Sequence, residues 1–379
     1  MGPSVDGNSA LVSTDLDKNK PVCVTGATGF IAAFVIRDLL KRGWTVHGTV
    51  RDLSATAKLA PLRRLEGAEA RLKLFAADLS KDAAGFEEAL SGCVACLHTA
   101  TPIHIPTAAG EPPFVKSLEE HEEKQARPAL AGTRLVLEAA ARAGVKRVVL
   151  TSSIAAMRVP LVQPKVLNED SWSDVETLQK SLLTSSVSSY ILAKTQQERM
   201  AWSLAKDLDI DLRTICPGLV LGPLVTDHLN FSHEVVLNAL QGRGISFAPP
   251  AAPGHIQNAT TGIVDVREVA HAHILAMEKP EAEGRYLLLA KQLHLADMMS
   301  FVKEEFPELL SEVAACTWSV DGCDSPSYVK KTQGEFSVQK IRKLGVEEIP
   351  WKESIRETVK SLQHLGYLSK PPPRKRACL

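Results

Sequence analysis

The stretch VCVTGATGFIA, residues 22–32, joins a β-branched run to a glycine turn and then to an apolar segment with helical spacing. Gly26 and Gly29 allow a tight turn and close backbone approach, and Ala32 is small where a helix must pack on the strand it has just left. A helix opening there presents free N–H groups and a partial positive charge, an arrangement that takes a pyrophosphate. Thr28, Phe30 and Ile31 complete this candidate dinucleotide turn. A glycine pattern alone is weak evidence; one set between strand and helix at the first junction is specific.

Working outward, short runs rich in valine, isoleucine and leucine recur at PVCVTG, WTVHGTV, RLKLFAAD, CVACLHTA, KRVVLTS, DLRTICP and RYLLLA. Segments with helical spacing, such as FIAAFVIRDLLKRG and PALAGTRLVLEAAARAG, separate the first six. This alternation predicts an α/β fold: a Rossmann-like, doubly wound parallel sheet with helices on both faces. The last run breaks the rhythm, because a Pro-, Gly- and Asn-rich insertion precedes it. The expected organisation is a disordered leader over 1–19, a nucleotide-binding domain over 20–220 plus 258–290, a small substrate-capping lobe over 221–257 plus 291–369, and a basic flexible tail over 370–379.

Lysine plus arginine equals aspartate plus glutamate at 44 each, so no global field draws nucleic acid or an anionic membrane. No stretch approaches the roughly 18 apolar residues that span a bilayer. The first twenty residues lack the pattern of a signal peptide, and the seven cysteines are scattered, which points to a reducing, cytoplasmic setting. The sequons at Asn230 and Asn258 would then never be glycosylated. Cys93 and Cys96 form a C-x-x-C inside an apolar run, where strand alternation would point them apart; they read as buried structural thiols, and no metal site is expected.

Where the second strand ends, about twenty residues after such a turn, an acid normally holds the ribose of NAD. Here Val50 is followed by Arg51, whose guanidinium can pair with a 2′-phosphate, so NADP is favoured over NAD. Asp52 follows at once and could be the missing acid, and Arg51 could be a solvated loop charge. Asp78 and Leu79, after the third strand, could flank an adenine ring, or Asp78 could cap the next helix.

Of four tyrosines only Tyr190 has a lysine, Lys194, four residues later. On a helix the two share a face, and an ammonium near a phenol favours phenolate and lowers its pKa from about 10. That suits proton transfer to or from a carbonyl oxygen. The fifth run delivers Ser152 and Ser153 to the carboxyl edge of the sheet, where a hydroxyl can polarise a carbonyl. Tyr190 is read as the start of a helix, with the serines before it in a loop.

VTGATGFIA, TVRD, ADLS, HTATP, VVLTSSIA, YILAK, CPGLVLGP and KIRKLGVEEIPWKESIRETVKSL follow one another in the order found in extended short-chain dehydrogenases/reductases. The chain resembles most the branch holding dihydroflavonol 4-reductase, cinnamoyl-CoA reductase and the aldehyde and methylglyoxal reductases, over roughly residues 20 to 369. The resemblance implies NADPH at the glycine turn, Arg51 at the 2′-phosphate, and Asp78, Leu79 and Thr99 along the nucleotide. It also implies Pro217 and Gly218 beside the nicotinamide, Tyr190 as proton donor, Lys194 as its activator and ribose ligand, and Ser153 polarising the carbonyl. The expected reaction is reduction of an aldehyde or ketone, in a monomer or homodimer.

Two departures stand out. Many relatives carry an asparagine in the helix after the fourth strand that supports a proton relay; Ala129 occupies the corresponding place, so a relay would run through water or the lysine itself. The loop over 101–125 is long and acidic, and His104 within it is a candidate substrate contact. Rival readings are a sugar-nucleotide epimerase or dehydratase, a 3β-hydroxysteroid dehydrogenase, and a redox sensor that binds NADP without catalysis. The first two generally retain NAD, which Arg51 disfavours; the sensor would not need the Tyr/Lys pair.

Overall fold

The computed structural model describes residues 16–369 except 82, 103–114, 160, 163, 183–186, 246–256 and 310–333. Residues 1–15 of the expected 1–19 leader, His104 and the tail over 370–379 lie outside the described residues.

The seven apolar runs form one sheet. Its strands are β1 (Val22–Thr25), β2 (Val46–Val50), β3 (Leu72–Ala76), β4 (Ala95–His98), β5 (Arg147–Thr151), β6 (Asp211–Pro217) and β7 (Gly284–Leu288). In space they run β7-β6-β5-β4-β1-β2-β3, every neighbouring pair parallel. The chain therefore winds outward from β1 in one direction and from β4 in the other. Such a reversal leaves a crevice beyond the carboxyl ends of β1 and β4, where ligands of open α/β sheets bind.

The strands are apolar throughout because both faces are covered. On β1, Val22 and Val24 enter the layer that includes the Phe30–Lys41 and Val266–Glu278 helices, while Cys23 points into the opposite layer. That opposite layer holds Val136 and Leu137 of the Arg127–Arg142 helix and Ala201 of the Ser188–Asp207 helix. Each such valine or leucine, fully buried, contributes about 1.5–3 kcal/mol. Cys93 and Cys96 do not point apart: Cys93 precedes β4, so both thiols join this same cluster, and the four described cysteines are free and buried. Burial pushes the Cys93 thiol up to about 12, which makes it inert at neutral pH.

A second apolar cluster gathers Leu221, Val236, Leu240, Met298, Val302 and Ile355, side chains from the insertion and the C-terminal segments. A small sheet supports it: Leu219–Leu221 runs parallel to Thr260–Asp265, which pairs antiparallel with Lys291–His294. Asn230, within one of the sequons, caps the Phe231–Leu240 helix by accepting from the Ser232 and His233 N–H groups. Among the described residues no helix is long and apolar enough to cross a membrane.

Candidate functional site

The glycine turn sits at the crevice mouth. Gly26 has φ +68°, and a Cβ there would lie 2.9 Å from that of Ala100, so only glycine meets both demands. Gly29 N–H closes the turn on the Gly26 carbonyl at 2.8 Å. The helix that begins at Phe30 has no side-chain cap and no acid in its first turn, leaving its N-terminal N–H groups for an anion. With Thr28, Gly29, Phe30 and Ile31, the turn lines a cleft of about 600 Å³.

Arg51, Asp78, Leu79 and Thr99 line the same cleft. Arg51 is exposed at its rim, and among the described residues no carboxylate lies within 4 Å of it. Asp52 is directed elsewhere, accepting from Ser54 N–H at 2.8 Å and from its hydroxyl at 2.6 Å. Asp78 accepts from Ser80 N–H and hydroxyl at 3.0 and 2.8 Å, and these bonds hold its carboxyl below the ordinary value. It does not cap the following helix, Ala84–Leu90, whose N-cap is Ala83 with no side-chain bond. Thr99 is fixed by its hydroxyl to the Thr25 carbonyl at 2.6 Å.

A second cavity of about 280 Å³ opens off this cleft, sharing Ile31, Thr99, Thr101, Val220, Phe231 and Ser232 with it. Ser153, Tyr190, Lys194, Pro217 and Gly218 line it together. Gly218 is required by close approach, since a Cβ would collide with the Gly262 carbonyl and Leu289. Every residue the sequence reading assigned to cofactor or catalysis thus faces one of two joined cavities.

The tandem serines have different partners. Ser152 donates to the Glu198 carboxylate at 2.6 Å. Ser153 caps a short turn over Ile154–Ala156, accepting from Ala155 N–H at 3.1 Å, and its hydroxyl is near enough to the Tyr190 phenol to favour the phenol's ionised form. The helix bearing Tyr190 begins at Ser188, so Ser188 and Ser189 are already helical, correcting the expected loop; Ser185 and Ser186 lie outside the described residues.

The electrostatics differ from expectation. Burial raises the Tyr190 pKa, and the groups that oppose this are Ser153 and the Arg158 guanidinium rather than Lys194. Lys194 Nζ is turned to the Thr151 carbonyl at 3.1 Å and to Gln197 Oε1 at 2.7 Å. Burial lowers its pKa to about 8, with Glu198 and Cys216 opposing. Gln197 Nε2 in turn donates to Thr133 Oγ1 at 2.6 Å and Thr101 Oγ1 at 3.3 Å. Ala129 is fully buried one turn before Thr133 and offers no polar side-chain atom. The lysine is therefore not left to water alone: the polar support expected at that helix comes from Thr133 through Gln197.

Gln197 and Arg158 escaped the sequence reading. Gln197 had a signal, since it lies three residues after Lys194 on the same helical face. Arg158 had none, because only the turn after β5 brings it back to the cavity.

A family described as NAD dependent epimerase/dehydratase matches residues 22–288. Cinnamoyl-CoA reductase 1 of Petunia hybrida is 38% identical over 352 residues, covering 92% of this chain and 94% of that protein. Tetraketide alpha-pyrone reductase 1 of Arabidopsis thaliana is 33% identical, covering 92% and 97% respectively. Among solved structures, yeast methylglyoxal/isovaleraldehyde reductase Gre2 complexed with NADPH is 26% identical with a TM-score of 0.71, covering 91% of this chain and 98% of that one. Phosphate turn, switch-point crevice, the Ser153/Tyr190/Lys194 wall and these likenesses converge: the chain belongs to the NAD dependent epimerase/dehydratase family, in the extended short-chain dehydrogenase/reductase branch.

Proposed function

We propose that this NADP-dependent oxidoreductase reduces an aldehyde or ketone to the alcohol, with Tyr190 as proton donor. The observation that carries the reading is the shared cavity wall of Ser153, Tyr190 and Lys194, opening directly into the glycine-turn cleft. The turn's freely donating helix start suits a pyrophosphate, Arg51 a 2′-phosphate, Lys194 a ribose, and Pro217 with Gly218 the nicotinamide face. When bound, NADPH supplies the hydride for the carbonyl carbon.

The chain's own groups manage the oxygen. The Ser153 hydroxyl donates to it and orients it. Tyr190 then releases its proton to the developing alkoxide. A phenol raised by burial stays protonated at neutral pH, which fits an acid in the reducing direction. The second apolar cluster, with members such as Leu221, Val236, Met298 and Ile355, closes the substrate end and sets which carbonyl enters. The four described cysteines, buried and free, support a reducing compartment, the cytoplasm.

A rival that retains NAD has less support, because Arg51 faces the cleft while Asp52 is held by Ser54. Tyr190→Phe is the test. It should bind NADPH as the unmodified chain does and lose at least about 100-fold in turnover on a carbonyl panel. Undiminished turnover would exclude Tyr190 as the acid.

A further inference from the structure

Among the described residues three arginines are buried with a carboxylate in hand: Arg147 and Arg213 hold Asp211 at 3.0 and 2.9 Å, and Arg285 holds Glu198 at 2.8 Å. Arg158 breaks the pattern. It is partly buried, it lines the cavity with Ser153, Tyr190 and Lys194, and among the described residues no carboxylate lies within 4 Å of its guanidinium. Its backbone is held where it is by the Ile154 carbonyl, which accepts its N–H at 3.1 Å. The ionisable group acting on it is the Tyr190 phenol itself. A guanidinium withdrawn from water without a counter-charge is costly, and an incoming anion relieves that cost.

Resting on the carbonyl-reductase reading, we infer that Arg158 reads a carboxylate on the substrate, so the physiological substrate is an oxo acid whose carboxylate lies a few bonds from the carbonyl. A planar guanidinium matches a carboxylate bidentately. With the phenol aimed at the oxygen and the guanidinium at the carboxylate, the molecule is fixed at two points. Val187, Ile191, Leu219 and Val220 give the same cavity an apolar stretch of wall, and the rest of the substrate is a hydrocarbon or aromatic group that packs there.

The test compares phenylpyruvate, its methyl ester and phenylacetaldehyde as NADPH-dependent substrates of the full chain, Arg158→Gln and Arg158→Lys. The unmodified chain should prefer the acid to its ester. Arg158→Gln should lower kcat/KM for the acid about 10- to 100-fold more than it lowers kcat/KM for the ester and the aldehyde, with Arg158→Lys between them. A readout without turnover is the extra thermal protection that phenylpyruvate gives Tyr190→Phe over saturating NADP alone, which should vanish when Arg158→Gln is added. Equal losses on acid and ester would make Arg158 a tuner of the phenol and overturn the inference. So would preference for the ester, or for glyceraldehyde 3-phosphate, the arm that offers a phosphate instead. If the aldehyde is reduced and the acid is not, the inference falls and the carbonyl reading stands; if no carbonyl is reduced, both fall.

Discussion

The Lys194 ammonium donates to the side-chain carbonyl of Gln197 at 2.7 Å, from one turn away on the same buried helix, and Thr133 braces that amide from behind at 2.6 Å. This bond favours the charged lysine against burial, which has already brought its pKa down to about 8. If charged Lys194 is the form that accepts NADPH, kcat/KM for NADPH should fall on the alkaline side with a midpoint near 8. Gln197→Leu removes a hydrogen bond to a charged group, worth about 1.5–3 kcal/mol, and should move that midpoint down by about one unit or more. A pH profile of kcat/KM, which reports the free enzyme, reads it directly. An alkaline limb that stays in place in Gln197→Leu would leave Gln197 with a merely structural role.

The two adjacent serines should separate cleanly. Ser153→Ala removes the hydroxyl facing the phenol and should cost about 10- to 100-fold in turnover with little change in unfolding midpoint. Ser152→Ala leaves Glu198 short of a donor inside the protein and should lower stability by about 1–3 kcal/mol while turnover holds within a few-fold. Urea titration and steady-state rates on both variants decide the matter; reversed effects would exchange the two assignments.

Arg51→Ala should erode the preference for NADPH over NADH by about 10- to 100-fold, almost wholly through KM for NADPH, because an arginine paired with the 2′-phosphate would act in ground and transition states alike. An unaltered ratio of kcat/KM for the two cofactors would place the reading of the 2′-phosphate elsewhere on the cleft rim.

The sheet was legible because a strand buried on both faces writes itself as a continuous apolar run: DLRTICP maps residue for residue onto β6. The lining of the two cavities was legible for a related reason, since ligand-facing residues of a doubly wound fold follow strand ends and helix starts that the chain marks with glycine and serine. Partnerships were not. Sequence spacing put Lys194 beside the phenol, yet a four-residue offset fixes only a shared face; it does not say whether the flexible amine reaches toward Tyr190 or toward Gln197 and Thr151. Arg158 depended on a turn whose path no local pattern announces. Asp78 could have capped a helix, and only the position of Ala83 shows that it does not.

Glu198 ties the catalytic helix to the sheet edge and gives a stability prediction with a definite sign. Its carboxylate, almost fully buried, holds Arg285 at 2.8 and 3.1 Å and accepts from Ser152 and Thr214, while Arg285 stacks 3.6 Å from the centre of the Trp172 ring. Burial alone would raise the Glu198 pKa, but Arg285 and the two hydroxyls more than offset it and hold the carboxyl below its ordinary value. Breaking one side of a buried pair strands the other charge, so Glu198→Ala and Arg285→Ala should each cost about 3–5 kcal/mol, and the double variant distinctly less than their sum. Because the folded pKa lies below the unfolded value of about 4.3, the stabilisation is present above that pH and is lost as the pH falls through and below it. Denaturant midpoints measured at pH 7, 5, 4 and 3 should therefore drop more steeply for the unmodified chain than for Glu198→Gln, which carries no proton-linked charge at that position. Parallel acid profiles for the two would mean that Glu198 is not ionised in the folded state, and that the helix carrying Tyr190 and Lys194 is anchored by neutral hydrogen bonds alone.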